Sequence, residues 1–168
     1  MNIDDLRSDY DCEELRLCAA YRQFYVQDSA PNGDICDSFW SKRAVDDLLA
    51  VGDGIIGVGT KSFDFVRVFV KTYQQVPETE LSNWDHVTEA GLDVASGRLL
   101  VFGCVSTSGL FFDLEEGHYR VRCSHANLAE GADCASGEDD LEGSDWYFVQ
   151  AWPSDRSPMA VLKRWSGA

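Results

Sequence analysis

The stretch FDFVRVFVKTY, residues 63–73, alternates at period two along its length. Phe63, Phe65, Arg67, Phe69, Lys71 and Tyr73 fall on one side, and Asp64, Val66, Val68, Val70 and Thr72 on the other. Successive side chains of a strand point to opposite faces, and β-branched and aromatic residues fit a half-buried pleated surface. The stretch therefore reads as a strand, with Val66, Val68 and Val70 turned into a core. A strand of this kind needs partner strands, and the rest of the chain has to supply them.

Several stretches qualify. LRLCAAYRQFYVQD, residues 15–28, reads as one early strand, with Leu17, Ala19, Tyr21 and Gln23 on one face and Cys18, Ala20, Phe24 and Val26 on the other. GIIGVGT at 54–60 is a Gly-rich apolar strand. DHVTEAGLDVASGRLLVFGCVS divides into strands at two turns, Glu89-Ala90-Gly91 and Ser96-Gly97. In FFDLEEGHYRVRCSH, His118, Arg120 and Arg122 alternate with Tyr119, Val121 and Cys123. WYFVQAW at 146–152 and MAVLKRW at 159–165 close the series. The exception is FWSKRAVDDLLAVGDG at 39–54. There Phe39, Trp40, Ala44, Leu48 and Val51 recur at three- and four-residue steps, Ser38 or Ser41 caps the start, and Gly52 and Gly54 end the run. The fold class that follows is mainly all-β, an antiparallel β-sandwich with one short amphipathic helix. Residues 1–168 suit a single domain, with an acidic N-terminal extension over 1–14 and an acidic loop over 126–145.

Charge narrows the function. The chain carries 29 acids against 14 Lys plus Arg, a net charge of −15. That balance argues against nucleic acid as a direct ligand and against an anionic membrane surface. It suits solubility, or a basic partner. The N-terminus is acidic where a signal peptide is basic, and no apolar stretch approaches the ~20 residues of a membrane span, so the expectation is a cytoplasmic protein without membrane insertion. Cys12, Cys18, Cys36, Cys104, Cys123 and Cys134 then read as reduced thiols, and none stands in a CxxC pair.

Motifs of catalysis are weak. Cys123 and His125 share one side of a strand, the geometry of a thiolate pair, but Cys123 also shares that side with Tyr119 and Val121, which favours an inert core thiol. His118 reads as a turn-edge residue, and His86 has no evident partner. Three scattered histidines make no metal site, and no metal or other cofactor is expected. GDGIIGVG follows a helix and enters a strand, the reverse of a phosphate loop. The expectation is a protein without catalytic residues.

The order of YRQFYVQD, a helix, GIIGVGT, an alternating strand, WDHVTEAGLDVASG and FFDLEEGHYRVRC resembles the competence protein J family over about residues 15–125. Tyr21, Phe24, Asp28, Gly54, Ile55, Val87, Gly91, Phe112, Leu114, Gly117 and Tyr119 carry the match. The resemblance implies a cytosolic, non-catalytic inhibitor of a nuclease in transformable bacteria, and so a basic protein partner. The N-terminal extension, the SAPNGDI loop and the segment 130–145 depart from it. No inhibitory contact carries over by motif.

The carboxylates best placed to face a basic cleft are Glu138, Asp139, Asp140, Glu142 and Asp145. A solvated run that only keeps a chain soluble is the commoner role of such acids. The run lacks the spacing of a calcium loop. Trp84, beside Asn83 and Asp85 at a loop end, is the tryptophan expected to be exposed and available to a partner. Two other readings stay open. One is a β-sandwich module that binds carbohydrate or peptide through exposed aromatics, and the other is an immunity-type protein against a toxin.

Overall fold

The computed structural model describes residues 3–30, 39–105, 109–133 and 142–167. Among the described residues eleven strands form two sheets. They are β1 (Glu13–Cys18), β2 (Gln23–Asp28), β3 (Leu49–Gly52), β4 (Ile55–Gly59), β5 (Phe65–Thr72), β6 (His86–Val94), β7 (Arg98–Gly103), β8 (Gly109–Asp113), β9 (Gly117–Ala126), β10 (Glu142–Pro153) and β11 (Ala160–Lys163). Three short helices accompany them among the described residues, α1 (Ile3–Arg7), α2 (Lys42–Asp46) and α3 (Leu128–Asp133). The six-stranded sheet has the order β1-β5-β10-β9-β6-β11, and the five-stranded sheet β3-β4-β2-β7-β8. The pairings are antiparallel except that β10 runs parallel to β5.

One apolar core lies between the sheets. Val66, Val68 and Val70 are fully buried in it, as their period requires, with Phe24 and Val26 of β2, Ile56 and Val58 of β4, and Tyr147, Val149 and Ala151 of β10. Burying each such side chain is worth ~1.5–3 kcal/mol. On β9 the alternation holds: Tyr119, Val121 and Cys123 face the core, while Arg120 and Arg122 face away and share Glu89 at 3.0 and 2.8 Å. These arginines clamp two loops onto the sheet's outer face. Arg120 donates to the carbonyls of Ser157 and Pro158, and Arg122 to the carbonyl of Glu78 and the hydroxyl of Thr79.

The outer face of β5 and β10 is apolar too, and this is where Trp84 goes. Trp84 is 4% exposed, its ring 5.0 Å from Trp146 and 6.0 Å from Phe148, beside Phe69 and Val87. The expectation of an exposed Trp84 is corrected, because the face needs a cover. Leu6 of α1 joins the same cluster, so residues 1–14 supply a buried side chain and, from Glu13, an edge strand. Trp146 and Trp152 are also buried, and Trp40 and Trp165 half-buried, so the five tryptophans make no exposed aromatic face.

Other boundaries differ from the sequence reading. The helix expected within 39–54 shrinks to Lys42–Asp46, capped by Ser41, whose hydroxyl accepts from the Ala44 amide at 3.2 Å. Leu48 then turns left-handed, and Leu49–Gly52 pairs with β4 across Asp53-Gly54. No turn forms at Glu89-Ala90-Gly91. β6 runs straight through, and the His118 ring lies over Gly91, where a Cβ would meet it at 2.8 Å. The turn at Ser96-Gly97 does form, with the Ser96 amide donating to Asp28 at 3.1 Å. Cys12, Cys18, Cys104 and Cys123 carry free thiols, while Cys36 and Cys134 lie outside the described residues.

The early strand at 15–28 is two strands in different sheets. The break is a 3₁₀ turn at Ala20–Arg22, with φ of 61° at Tyr21 and 59° at Arg22. A left-handed residue with a side chain costs about 1–2 kcal/mol relative to Gly, so the pair is held by its surroundings. Arg22 donates its amide to the Ala19 carbonyl at 2.8 Å and accepts from the Thr60 amide at 2.8 Å. Tyr21 is 73% exposed, which lets the conformation be tested apart from packing. Tyr21→Gly is expected to be more stable than Tyr21→Ala by about 1 kcal/mol in denaturant unfolding, the reverse of the order in a helix or strand. Equal stability, or Ala the better, would show that the turn is not strained.

Candidate functional site

Three bulky residues adopt left-handed backbone at one end of the sandwich, and they line one cavity. Tyr21 and Arg22 come from the turn between the sheets. Leu48 (φ 51°) stands where a helix C-terminus usually places Gly. Leu48 keeps this position because Gly59 lies against it, its Cβ position only 3.2 Å from the Leu48 Cα, and because the Gly59 amide donates to the Leu48 carbonyl at 3.0 Å. The cavity measures about 430 Å³. Trp40, Val45 and Leu48 give it apolar walls, and Arg22 and Lys61 bring two cations to its edge. Backbone strain of this kind concentrates at functional sites.

The polar groups behind the cavity are occupied. Thr60 donates its hydroxyl to the Ser62 carbonyl at 2.8 Å, and Gln23 donates its amide to the Tyr25 hydroxyl at 2.7 Å. Lys61 lies over the Trp165 ring at 4.3 Å. Burial lowers the Lys61 pKa, and the charge of Arg22 lowers it further. The Lys61 and Ser62 amides both donate to Asp145, at 2.9 and 3.1 Å, and the Ser62 and Tyr147 hydroxyls bond the same carboxylate. Asp145 is fully buried, and burial together with this neighbouring charge keeps the Tyr147 hydroxyl protonated.

Asp145 therefore does not belong to an exposed acidic rim; it locks β10 to the segment entering β5. Glu142 opens β10 opposite Phe65, and Glu138, Asp139 and Asp140 lie outside the described residues. Exposed carboxylates also stand close in sequence at Asp4, Asp5, Asp11, Glu13 and Glu14, on α1 and the start of the edge strand β1, with Glu14 paired to Arg7. A second cavity of about 650 Å³ lies on the outer face of the six-stranded sheet, beside Gln74, Val76, Glu89, Arg120 and Trp152. Its charged groups are those already paired with one another.

The histidines are structural partners of the core. His86 is buried. Its Nδ1 accepts the Trp165 amide at 3.2 Å, which leaves Nε2 to donate to the Asp47 carbonyl at 2.8 Å. His118 is half-buried and bonded through Nδ1 to Asp93 at 2.7 Å. His125 is fully buried, 5.0 Å from the His86 ring and 5.1 Å from Tyr147, and neither of its nitrogens has a partner among the described residues. Cys123 has its thiol pushed up to about 12 by burial, so it stays protonated and is no nucleophile. Among the described residues no group of three or more His, Cys, Asp or Glu is placed to hold a metal ion. No helix there is long and apolar enough to cross a membrane.

No family model and no curated protein matches the chain. Two solved structures share its fold. One is ComJ, an inhibitor of the DNA-degrading activity of NucA, from Bacillus subtilis, with a TM-score of 0.65 at 19% identity over 84% of this chain and 96% of that one. The other is described as crocagin biosynthetic gene J, with a TM-score of 0.53 at 16% identity over 86% of this chain and 97% of that one. The resemblance read from the ordered motifs is thus borne out at the level of fold.

The buried histidines set an acid limit. Burial lowers the pKa of His86 and lowers that of His125 well below the ordinary value, with the neighbouring His86 and Lys61 charges adding to the second. The unfolded chain takes up these protons first, so folding stability is whole above pH ~6.5 and falls below it, by up to ~1.4 kcal/mol per pH unit per group. The loss precedes that from Asp9 and Asp93, whose pKa values are lowered by Lys71 and His118 and which count only below pH ~4. Denaturant unfolding between pH 7 and 5 is expected to show this slope, and His125→Phe to remove a large part of it. An unchanged slope in that variant would mean that His125 is protonated in the folded state.

Proposed function

We propose that the chain is a non-catalytic inhibitor that binds a basic, DNA-degrading nuclease and blocks its access to DNA. The observation that carries this reading is the fold it shares, over most of both chains, with an inhibitor of such an activity. Two features support it. The net charge of −15 opposes DNA and favours a protein whose cleft is built for phosphates. The thiol and imidazole that looked most like a catalytic pair are sunk in the core, where neither meets a substrate.

The partner is attracted at long range by charge and retained by packing. Electrostatic steering raises association rates by roughly 10–10³-fold at low salt, while the buried part of the interface sets the lifetime. Glu138, Asp139, Asp140 and Glu142 are the proposed steering groups, together with the exposed acids about α1. Asp145 and Trp84 are left out, because both are buried.

The test pairs the protein with the nuclease encoded nearest to its gene and follows DNA degradation and association kinetics as salt rises. Degradation is expected to stop with the inhibitor in excess, with an association rate that falls as the Debye length shortens to ~8 Å at physiological ionic strength. Neutralising Glu138, Asp139 and Asp140 together is expected to lower the on-rate by about tenfold at low salt, with the off-rate and the unfolding midpoint nearly unchanged. Undiminished cleavage at low salt would exclude inhibition of that nuclease. A salt-independent on-rate would exclude steering.

A further inference from the structure

We infer that the cavity bounded by Tyr21, Arg22, Trp40, Val45, Leu48 and Lys61 is a binding site for a small amphipathic carboxylate, a flat apolar body carrying one acid group. Its volume of about 430 Å³ lies within the roughly 300–1,000 Å³ of small-molecule sites. Its composition is that of such a site, with apolar and aromatic walls and a few convergent polar groups.

Charge points to the sign of the ligand. Acids outnumber bases two to one in this chain, and most of its cations are paired: Arg7 with Glu14, Lys42 with Asp46, Lys71 with Asp9, Arg98 with Asp113, Arg156 with Asp93, Arg164 with Asp47, and Arg120 and Arg122 with Glu89. Arg22 and Lys61 make no ion pair among the described residues; both line the cavity, and the Thr60 amide, next to Lys61, donates to the Arg22 carbonyl at 2.8 Å, while the buried Asp145 carboxylate offsets part of the work of Arg22 against the Lys61 charge. Two cations held together beside an apolar wall are stabilised by an anion placed between them, and an arginine fork with an ammonium suits a carboxylate.

The walls decide the class. A polyphosphate or a sugar would set its oxygens against Val45, Leu48 and the ring carbons of Trp40, whose indole Nε1 is itself buried and without a partner among the described residues, while Thr60 and Gln23 already spend their donors on Ser62 and Tyr25. A monocarboxylate with an aromatic or aliphatic body places its charge at Arg22 and Lys61 and its apolar part against the walls. The left-handed backbone at Tyr21, Arg22 and Leu48 holds these walls in place before the ligand arrives, which lowers the cost of binding.

The test uses indole-3-acetate as the probe, with indole-3-acetamide as its uncharged twin, in calorimetric titration and ¹H–¹⁵N correlation spectra of the full chain. Saturable binding of the acid is expected, with shifts centred on residues 21–23, 45–48 and 59–61, and at least about tenfold weaker binding of the amide. Arg22→Gln and Lys61→Gln are each expected to weaken the acid by about tenfold and leave the amide unchanged. Val45→Trp, at a position 54% exposed, fills the cavity and is expected to abolish both without lowering the unfolding midpoint. Absence of saturable binding at millimolar acid overturns the proposal. So does equal binding of acid and amide, or binding whose shifts lie elsewhere or survive all three substitutions.

Discussion

A buried carboxylate holds the central sheet in register. β10 lies between β9, its antiparallel partner, and β5, its parallel one, and a parallel pair cannot be joined by a tight hairpin. Something other than a turn has to fix where β10 begins against β5. Asp145 stands one residue before Trp146 pairs with Arg67, and it gathers the amides of Lys61 and Ser62 with the hydroxyls of Ser62 and Tyr147. The negative charge is satisfied by donors rather than by a cation in contact, which makes burial affordable. Tyr147 carries the same anchor into the core, where its ring meets Phe24 of the opposite sheet at 5.5 Å and His125 at 5.1 Å. The segment that Asp145 pins also positions Lys61, so the lock of the sheet and the edge of the cavity are built from the same residues.

What was legible in the sequence was whatever repeats at period two. Val66, Val68 and Val70, and Tyr119, Val121 and Cys123, announce their core face because the other face of each strand differs in kind. What was not legible has physical reasons. The split of 15–28 rests on left-handed Tyr21 and Arg22, which carry none of the Gly or Asn that marks such a turn. Asp145 reads as the last acid of a polar run, yet it is a buried residue of a strand whose next four residues are Trp, Tyr, Phe and Val. Trp84 reads as a loop residue because nothing local shows that Phe69, Trp146 and Phe148 form an apolar outer face in need of a cover. The Asp-Gly pair at 53–54 did carry a hairpin signal, and the helical spacing of Leu48 and Val51 masked it.

The cavity was illegible for a related reason. Its walls come from three separate stretches, 21–23, 40–48 and 59–61, each ordinary in sequence. Only the crossing of the chain from β1 to β2, in different sheets, brings them together. Strain at the crossing and the cavity beside it share one cause: the turn that passes between sheets leaves a gap at the sandwich end, and Leu48 and Trp40 wall it rather than fill it.

The molecule thus presents two electrostatic scales. Its net charge of −15 acts on anything approaching from a distance, attracting a basic protein and repelling a small anion. The pair Arg22 and Lys61 acts over a few ångströms, where the half-buried position of Lys61 limits the screening that salt imposes. Screening of the long-range field moves the two association rates in opposite directions. Added salt weakens the long-range field first, so it should slow association of a basic nuclease while removing the repulsion that an organic carboxylate meets on its way to the cavity. Stopped-flow rates measured from 20 to 200 mM salt are expected to fall for the nuclease and to rise, or hold steady, for the carboxylate. A fall for the carboxylate as well would mean that attraction by Arg22 and Lys61, rather than repulsion by the net charge, governs its approach.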